Sequence, residues 1–210
     1  KNDFWIVMAG GKYDYTCKWS NPTTIQNVID HFKGKITFVQ CGQEDHYHPP
    51  LKNVVNLIGK TDLRQFIRLI YHSVGVLCPV TLAMHAAAAV EMKNNPPINR
   101  PCVVIAGGRE PPQWEAYPNH RFLATNGAMD CCDNGGCWKS RCQTVGDGDK
   151  KDIKDLCLYP VELENKIKIP KCMDMIKDVD IIRAIEMYYE GGVLKYNDSK
   201  TIVKVEGGVL

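Results

Sequence analysis

No stretch of the 210 residues approaches the roughly 18 to 20 consecutive apolar positions that a membrane-spanning helix needs. The start, Lys1-Asn2-Asp3, lacks the apolar core of a signal peptide. A strand-like run, Phe4-Trp5-Ile6-Val7-Met8, follows almost at once, without the lead-in usual in a complete protein, so an excised domain is expected. Also missing is a polybasic stripe: 26 basic and 24 acidic residues are spread along the chain for a formal net charge of +2, which argues against a nucleic-acid partner. There is no internal repeat. These absences point to a soluble, cytoplasmic chain.

Apolar residues make up 44% of the sequence, enough to bury one substantial core, so a single domain with an elaboration fits better than a small disulfide-stapled scaffold. Up to about Ile105, short apolar runs alternate with helix-like segments, the pattern of βα units and a mostly parallel, Rossmann-like sheet with helices on both faces. The expected strands are Trp5 to Ala9, Ile36 to Gln40, Val54 to Ile58, Val74 to Cys78 and Cys102 to Ala106. Between them, Ile25, Val28, Ile29 and Phe32 share one helical face, as do Leu63, Phe66, Ile67 and Ile70, and both helices are expected on one face of the sheet. Asp62 is a start signal for its helix, and Thr81 opens an Ala-rich segment, Ala83 to Met92. After Asp130 the composition turns to loop residues, recovering a helix from Met173 to Tyr189 that ends at Gly191-Gly192 and packs back on the sheet; Thr201 to Val205 suits a last short strand. The expected division is a Rossmann-like domain over 1–128, a cysteine-rich module over 129–172, and a returning helix and strand over 173–210.

Ligands of open α/β sheets sit beyond the carboxyl ends of the strands, where helix N-termini receive phosphate. The first such end carries Gly10-Gly11-Lys12 and then Thr16-Cys17-Lys18-Trp19. Two lysines can neutralise an anion there, but Gly-Gly-Lys is not a complete P-loop, and by itself an ordinary tight turn accounts for it. After the second strand, Glu44 is placed to accept a ribose hydroxyl, and His46 and His48 suit surface or substrate contacts before metal. Thr81-Leu82-Ala83-Met84-His85-Ala86-Ala87-Ala88 fits two arrangements equally: a helix start open to a diphosphate with His85 donating to it, or a small-residue helix packed on the sheet. Arg109-Glu110-Pro111-Pro112-Gln113-Trp114 forms a polar and aromatic loop at the same edge, suited to a sugar or base.

Over about residues 4–125 the pattern resembles the donor-binding, C-terminal domain of the ADP-heptose-dependent heptosyltransferases. Lys18-Trp19 is similar to that family's Lys-Arg-Trp motif, and Thr81 to Ala88 to its Asp-Thr-Gly-x-Met-His-x-Ala-Ala segment. The resemblance implies one half of a GT-B fold, with Lys18, Thr81 and His85 on the donor diphosphate or sugar and Glu44 near the ribose; Lys12, Arg109 and Glu110 complete the expected donor site. Val80 and Leu82 stand where the family has Asp and Gly, which puts the sugar in question. The family's general base belongs to an N-terminal acceptor domain, so no catalytic residue is expected here, and this half alone is expected to bind donor without transferring sugar. A homo-oligomer is a further possible partner.

Of ten cysteines, Cys17, Cys41, Cys78 and Cys102 accompany apolar segments and read as buried thiols; Cys131, Cys132, Cys137, Cys142, Cys157 and Cys172 crowd together. A loop segment of that length needs a pin, and thiolates suit tetrahedral zinc or iron. Their spacing is irregular, unlike paired C-x-x-C knuckles. The segment resembles the cysteine module of an offshoot of the heptosyltransferases in which four cysteines hold iron. Cys132, Cys137, Cys157 and Cys172 are the chosen ligands, with Cys131 and Cys142 in reserve. No histidine lies there to activate a thiol, so the role is structural and no redox cofactor is expected. The transferase acceptor would be a lipopolysaccharide, glycan or protein. Two other readings remain: a nucleotide-sugar epimerase working through Glu44 and Glu110, and a metal-stabilised assembly module without catalysis.

Overall fold

The structure, a computed structural model, describes residues 3–93, 100–132 and 135–197; the strand expected at Thr201 to Val205 lies outside them. Six strands form a wholly parallel sheet: β1 (Phe4–Val7), β2 (Thr37–Gln40), β3 (Val55–Asn56), β4 (Gly75–Pro79), β5 (Cys102–Gly107) and β6 (His120–Ala124), in the order β3-β2-β1-β4-β5-β6. This is the Rossmann-like α/β sheet expected. Every residue of β4 and β5 is buried, which is why both read as unbroken apolar runs rather than alternating ones. β6 was not anticipated: it begins on His120-Arg121, lies at the sheet edge and is only half-buried along its length.

The expectation that the first two helices share a face of the sheet is corrected. α1 (Pro22–His31) packs Ile25, Val28 and Ile29 against Trp5, Val7 and Phe38, whereas α2 (Leu63–His72) packs Phe66 and Ile70 against Ile6, Val39 and Val76 on the other face. The reason is topological. The chain leaves β1 in one direction for β2 and returns in the other from β3 to β4, and right-handed crossovers of opposite direction lie on opposite faces. α3 (Leu82–Ala89) joins α2, its small residues Ala83, Ala86 and Ala87 allowing a close approach to β4 and β5. Asn21 caps α1, and Asp62 with Gln65 makes a reciprocal capping box on α2, as its sequence signals.

The helix expected from Met173 to Tyr189 is two. α4 (Pro112–Glu115) and α5 (Lys151–Lys154) are single turns, and α6 (Lys171–Asp174) stops before an extended Lys177; α7 (Asp178–Glu190) then starts with Asp180 accepting from Lys177 N at 2.9 Å. α7 returns to the α1 face, burying Ile181, Ala184, Ile185 and Tyr188. Ahead of α6, β7 (Pro160–Glu162) and β8 (Lys168–Pro170) form an antiparallel hairpin, each strand too short to leave a periodic trace in sequence. Arg141 anchors the cysteine-rich segment. Its guanidinium is fully buried and bonds Asp14 and Asp147, each at 2.7 Å, and also Asp152.

Candidate functional site

Strand order reverses between β1 and β4, and loops diverging at such a point leave a crevice at the strand ends. A cavity of about 610 Å³ occupies that place. Its walls come from the loop after β1 (Met8, Lys12, Tyr15, Lys18), the loop after β2 (Gly42, Gln43, His46), the start of α2 (Thr61 to Leu63) and the start of α3 (Val80 to Leu82). The apolar side chains Met8, Phe66 and Leu82 line a site whose charges are Lys12, Lys18 and Asp62. Such a volume, part apolar and rimmed by cations and a helix N-terminus, suits an anionic nucleotide.

The loop after β1 is held by aromatic packing. Trp19 is buried and stacks on Tyr47 with ring centroids 4.2 Å apart, while Tyr13 meets its edge at 5.6 Å. Gly11 and Tyr47 exchange backbone hydrogen bonds at 2.9 and 3.1 Å, and a Cβ on Gly10 would lie 2.0 Å from the Tyr47 carbonyl oxygen. Gly10 therefore permits the approach of two backbones, Gly11 is open, and both line the cavity. The short 3-10 segment Tyr13–Lys18 brings Lys18 to the cavity wall, and its ammonium pairs with Glu110, behind that wall, at 2.9 Å and donates to the Val80 carbonyl at 3.3 Å.

Of the expected donor-site residues, Lys12, Lys18 and Thr81 line the cavity, Thr81 also capping α3 by accepting from Ala83 N at 3.3 Å. The others stand outside it. Glu110 is buried between Lys18 and Arg109, and Arg109 donates to the Lys139 carbonyl and faces the rings of Tyr15 and Trp138. Glu44 packs its side chain near Gly59. His85, half-exposed one turn into α3, has Nδ1 2.8 Å from the Tyr117 hydroxyl and Nε2 3.7 Å from Glu115. Tyr15, Asp62 and Leu63 were not singled out for the site. An aromatic in a lysine-rich turn is a faint signal, and a helix cap reads first as a cap.

The cysteines converge more tightly than their spacing suggests. A void of about 10 Å³ is ringed by Cys17, Cys131, Cys137, Cys157 and Cys172, together with Met129 and Tyr159. Cys132 is not part of that ring; its thiol turns to the Met129 carbonyl at 3.2 Å. Cys17 is buried, as expected, and has its sulfur 3.6 Å from that of Cys142, and Cys157 joins them within 4.8 Å. Hydrogen bonds with Cys142 and Cys17 draw the Cys157 thiol down, while those with Cys142 and Cys157, and then burial, push Cys17 up. Cys41 and Cys102 are pushed up by burial and stand as inert core thiols.

No protein-family model and no curated protein sequence matches the chain. Solved structures do. The fold is similar to that of TibC. The dodecameric iron-containing heptosyltransferase TibC in complex with ADP-D-beta-D-heptose aligns over 91% of this chain at a TM-score of 0.59 and 16% identity. TibC from enterotoxigenic E. coli H10407, described as a bacterial iron-containing dodecameric glycosyltransferase, aligns over the same share at a TM-score of 0.61 and 15% identity. In both cases the chain spans 46% of TibC, about half its length. At that identity the likeness to TibC is one of fold. Among the described residues, no helix is long and apolar enough to cross a membrane.

Proposed function

We propose that this chain is the nucleotide-sugar-binding domain of a glycosyltransferase, taking a nucleoside-diphosphate sugar, ADP-heptose first, into the cavity between β1 and β4. The observation that carries the reading is that cavity: Lys12, Lys18 and the Thr81-capped N-terminus of α3 face one volume at the topological switch point of a sheet that folds like half of TibC. Lys12 and Lys18 neutralise the diphosphate, and Glu110 and Arg109 hold Lys18 in position. His85 fixes the loop carrying Tyr117. The acceptor and the general base belong to a second domain, and assembly into a homo-oligomer in the cytoplasm accompanies the reading.

A structural metal is the second part of the proposal. Thiols around a small void match zinc or iron in donor type, and TibC is described as iron-containing. The ligands are Cys137, Cys157 and Cys172, with Cys131 as the fourth in place of Cys132, whose sulfur is engaged elsewhere. When bound, the metal would supply a crosslink between the loop after β6, the segment leading into the hairpin, and α6.

Calorimetric titration with ADP, UDP and GDP and their sugars tests the donor reading. Selective binding of an adenine nucleotide is expected, without turnover. Conversion of the nucleotide sugar by this chain alone would make it an epimerase; an absence of binding to any of them would leave the metal-stabilised assembly module. The epimerase is the weaker candidate, since Glu110 is already paired with two cations and Glu44 stands outside the cavity.

A further inference from the structure

Among the described residues, one set of three metal-type ligands lies within 4.8 Å, and it is not the four-cysteine set proposed above: it is Cys17, Cys142 and Cys157. Two of the three were unremarkable or held in reserve by sequence, because Cys17 and Cys142 are separated by 125 positions. Zinc–sulfur bonds of about 2.3 Å at the tetrahedral angle put neighbouring sulfurs about 3.8 Å apart. The Cys17 and Cys142 sulfurs, at 3.6 Å, are already at that edge length. The backbone is set for it too. Cys17 N donates to the Ser140 carbonyl at 3.0 Å, Cys142 N donates to the Thr16 hydroxyl at 2.7 Å, and Cys157 N donates to the Arg141 carbonyl at 2.6 Å. The buried Arg141 and its three aspartates, one of them Asp14 in the loop after β1, brace the same junction.

We infer that Cys17, Cys142 and Cys157 form a second thiolate metal site, for a thiophilic divalent ion such as zinc, with Cys157 shared between it and the centre proposed above. Binding releases the thiol protons to solvent. The site joins the cysteine-rich segment to the 3-10 turn Tyr13–Lys18, which carries Tyr15 and Lys18 into the large cavity. A metal there stiffens one wall of that cavity.

The test is metal stoichiometry of the reduced, metal-free chain titrated with zinc, read by elemental analysis, and with cobalt, read by thiolate charge-transfer absorption. Wild type is expected to bind two equivalents, and Cys17→Ser with Cys142→Ser to bind one; the single variant Cys17→Ser, if the double variant does not fold, is expected to lose the same equivalent. Retention of the wild-type stoichiometry and absorption in these variants would overturn the inference. Cys137→Ser with Cys172→Ser is expected to remove the other equivalent. If that pair instead changes nothing while the Cys17 variants lose metal, the inferred site stands and the four-cysteine centre is the one that fails.

Discussion

Lys18 faces the cavity while held by Glu110 and the Val80 carbonyl, so its charge is positioned before any ligand arrives. A hydrogen bond to a charged group contributes about 1.5 to 3 kcal/mol, and Lys18→Ala is expected to weaken ADP binding by roughly 10- to 100-fold in calorimetry. His85→Ala is expected to change it by less than about fivefold, since its partner is Tyr117 and a loop contact is worth under roughly 1 kcal/mol. An equal loss in both variants would place His85 on the ligand. His120 is a different case. Burial lowers its pKa from 6.5 to about 4, helped by the nearby His85, and neither ring nitrogen has a hydrogen-bond partner. The unfolded chain takes up a proton where the folded chain does not, so this contribution to stability is complete above pH 6.5 and is lost as pH falls from there towards 4. Melting temperature measured across that window is expected to fall, and to fall less in His120→Phe.

At the scale of elements, two devices hold the α2 and α3 layer. Asp62 accepts from Gln65 N at 2.7 Å, and Asp62→Ala is expected to cost about 1 kcal/mol in urea unfolding. Arg100, fully buried, donates to the carbonyls of Ser73, Ala87, Val90 and Glu91, which closes the C-terminal ends of both helices. Arg100→Met leaves these carbonyls unmet and is expected to cost about 3 kcal/mol or more by the same measurement. The Asp62 cap is legible in sequence because capping is local. Arg100 is not, since a lone arginine before Pro101 carries no sign of the two helix ends it meets. The break between α6 and α7 was hidden for a related reason: Ile176 and Val179 continue the apolar period across it, and the extended backbone at Lys177 overrides that period.

At the scale of the whole molecule, the cysteine-rich segment has little apolar core and relies on Arg141, the short hairpin and the thiols. Chelation is expected to lower the melting temperature and to expose the chain between residues 143 and 157 to protease, with the six-stranded sheet retained by circular dichroism. Unchanged melting in chelator would remove metal from the account. The sequence by itself determined the parallel α/β sheet, its first five strands and the starts of α2 and α3 at Asp62 and Thr81, because apolar period and caps act over a few residues. Only the tertiary structure decided that α1 and α2 lie on opposite faces, that His85 and Glu44 stand outside the cavity, and that Cys17 meets Cys142. Crossover direction and contacts across more than a hundred residues depend on the folded chain as a whole, and nothing local encodes them.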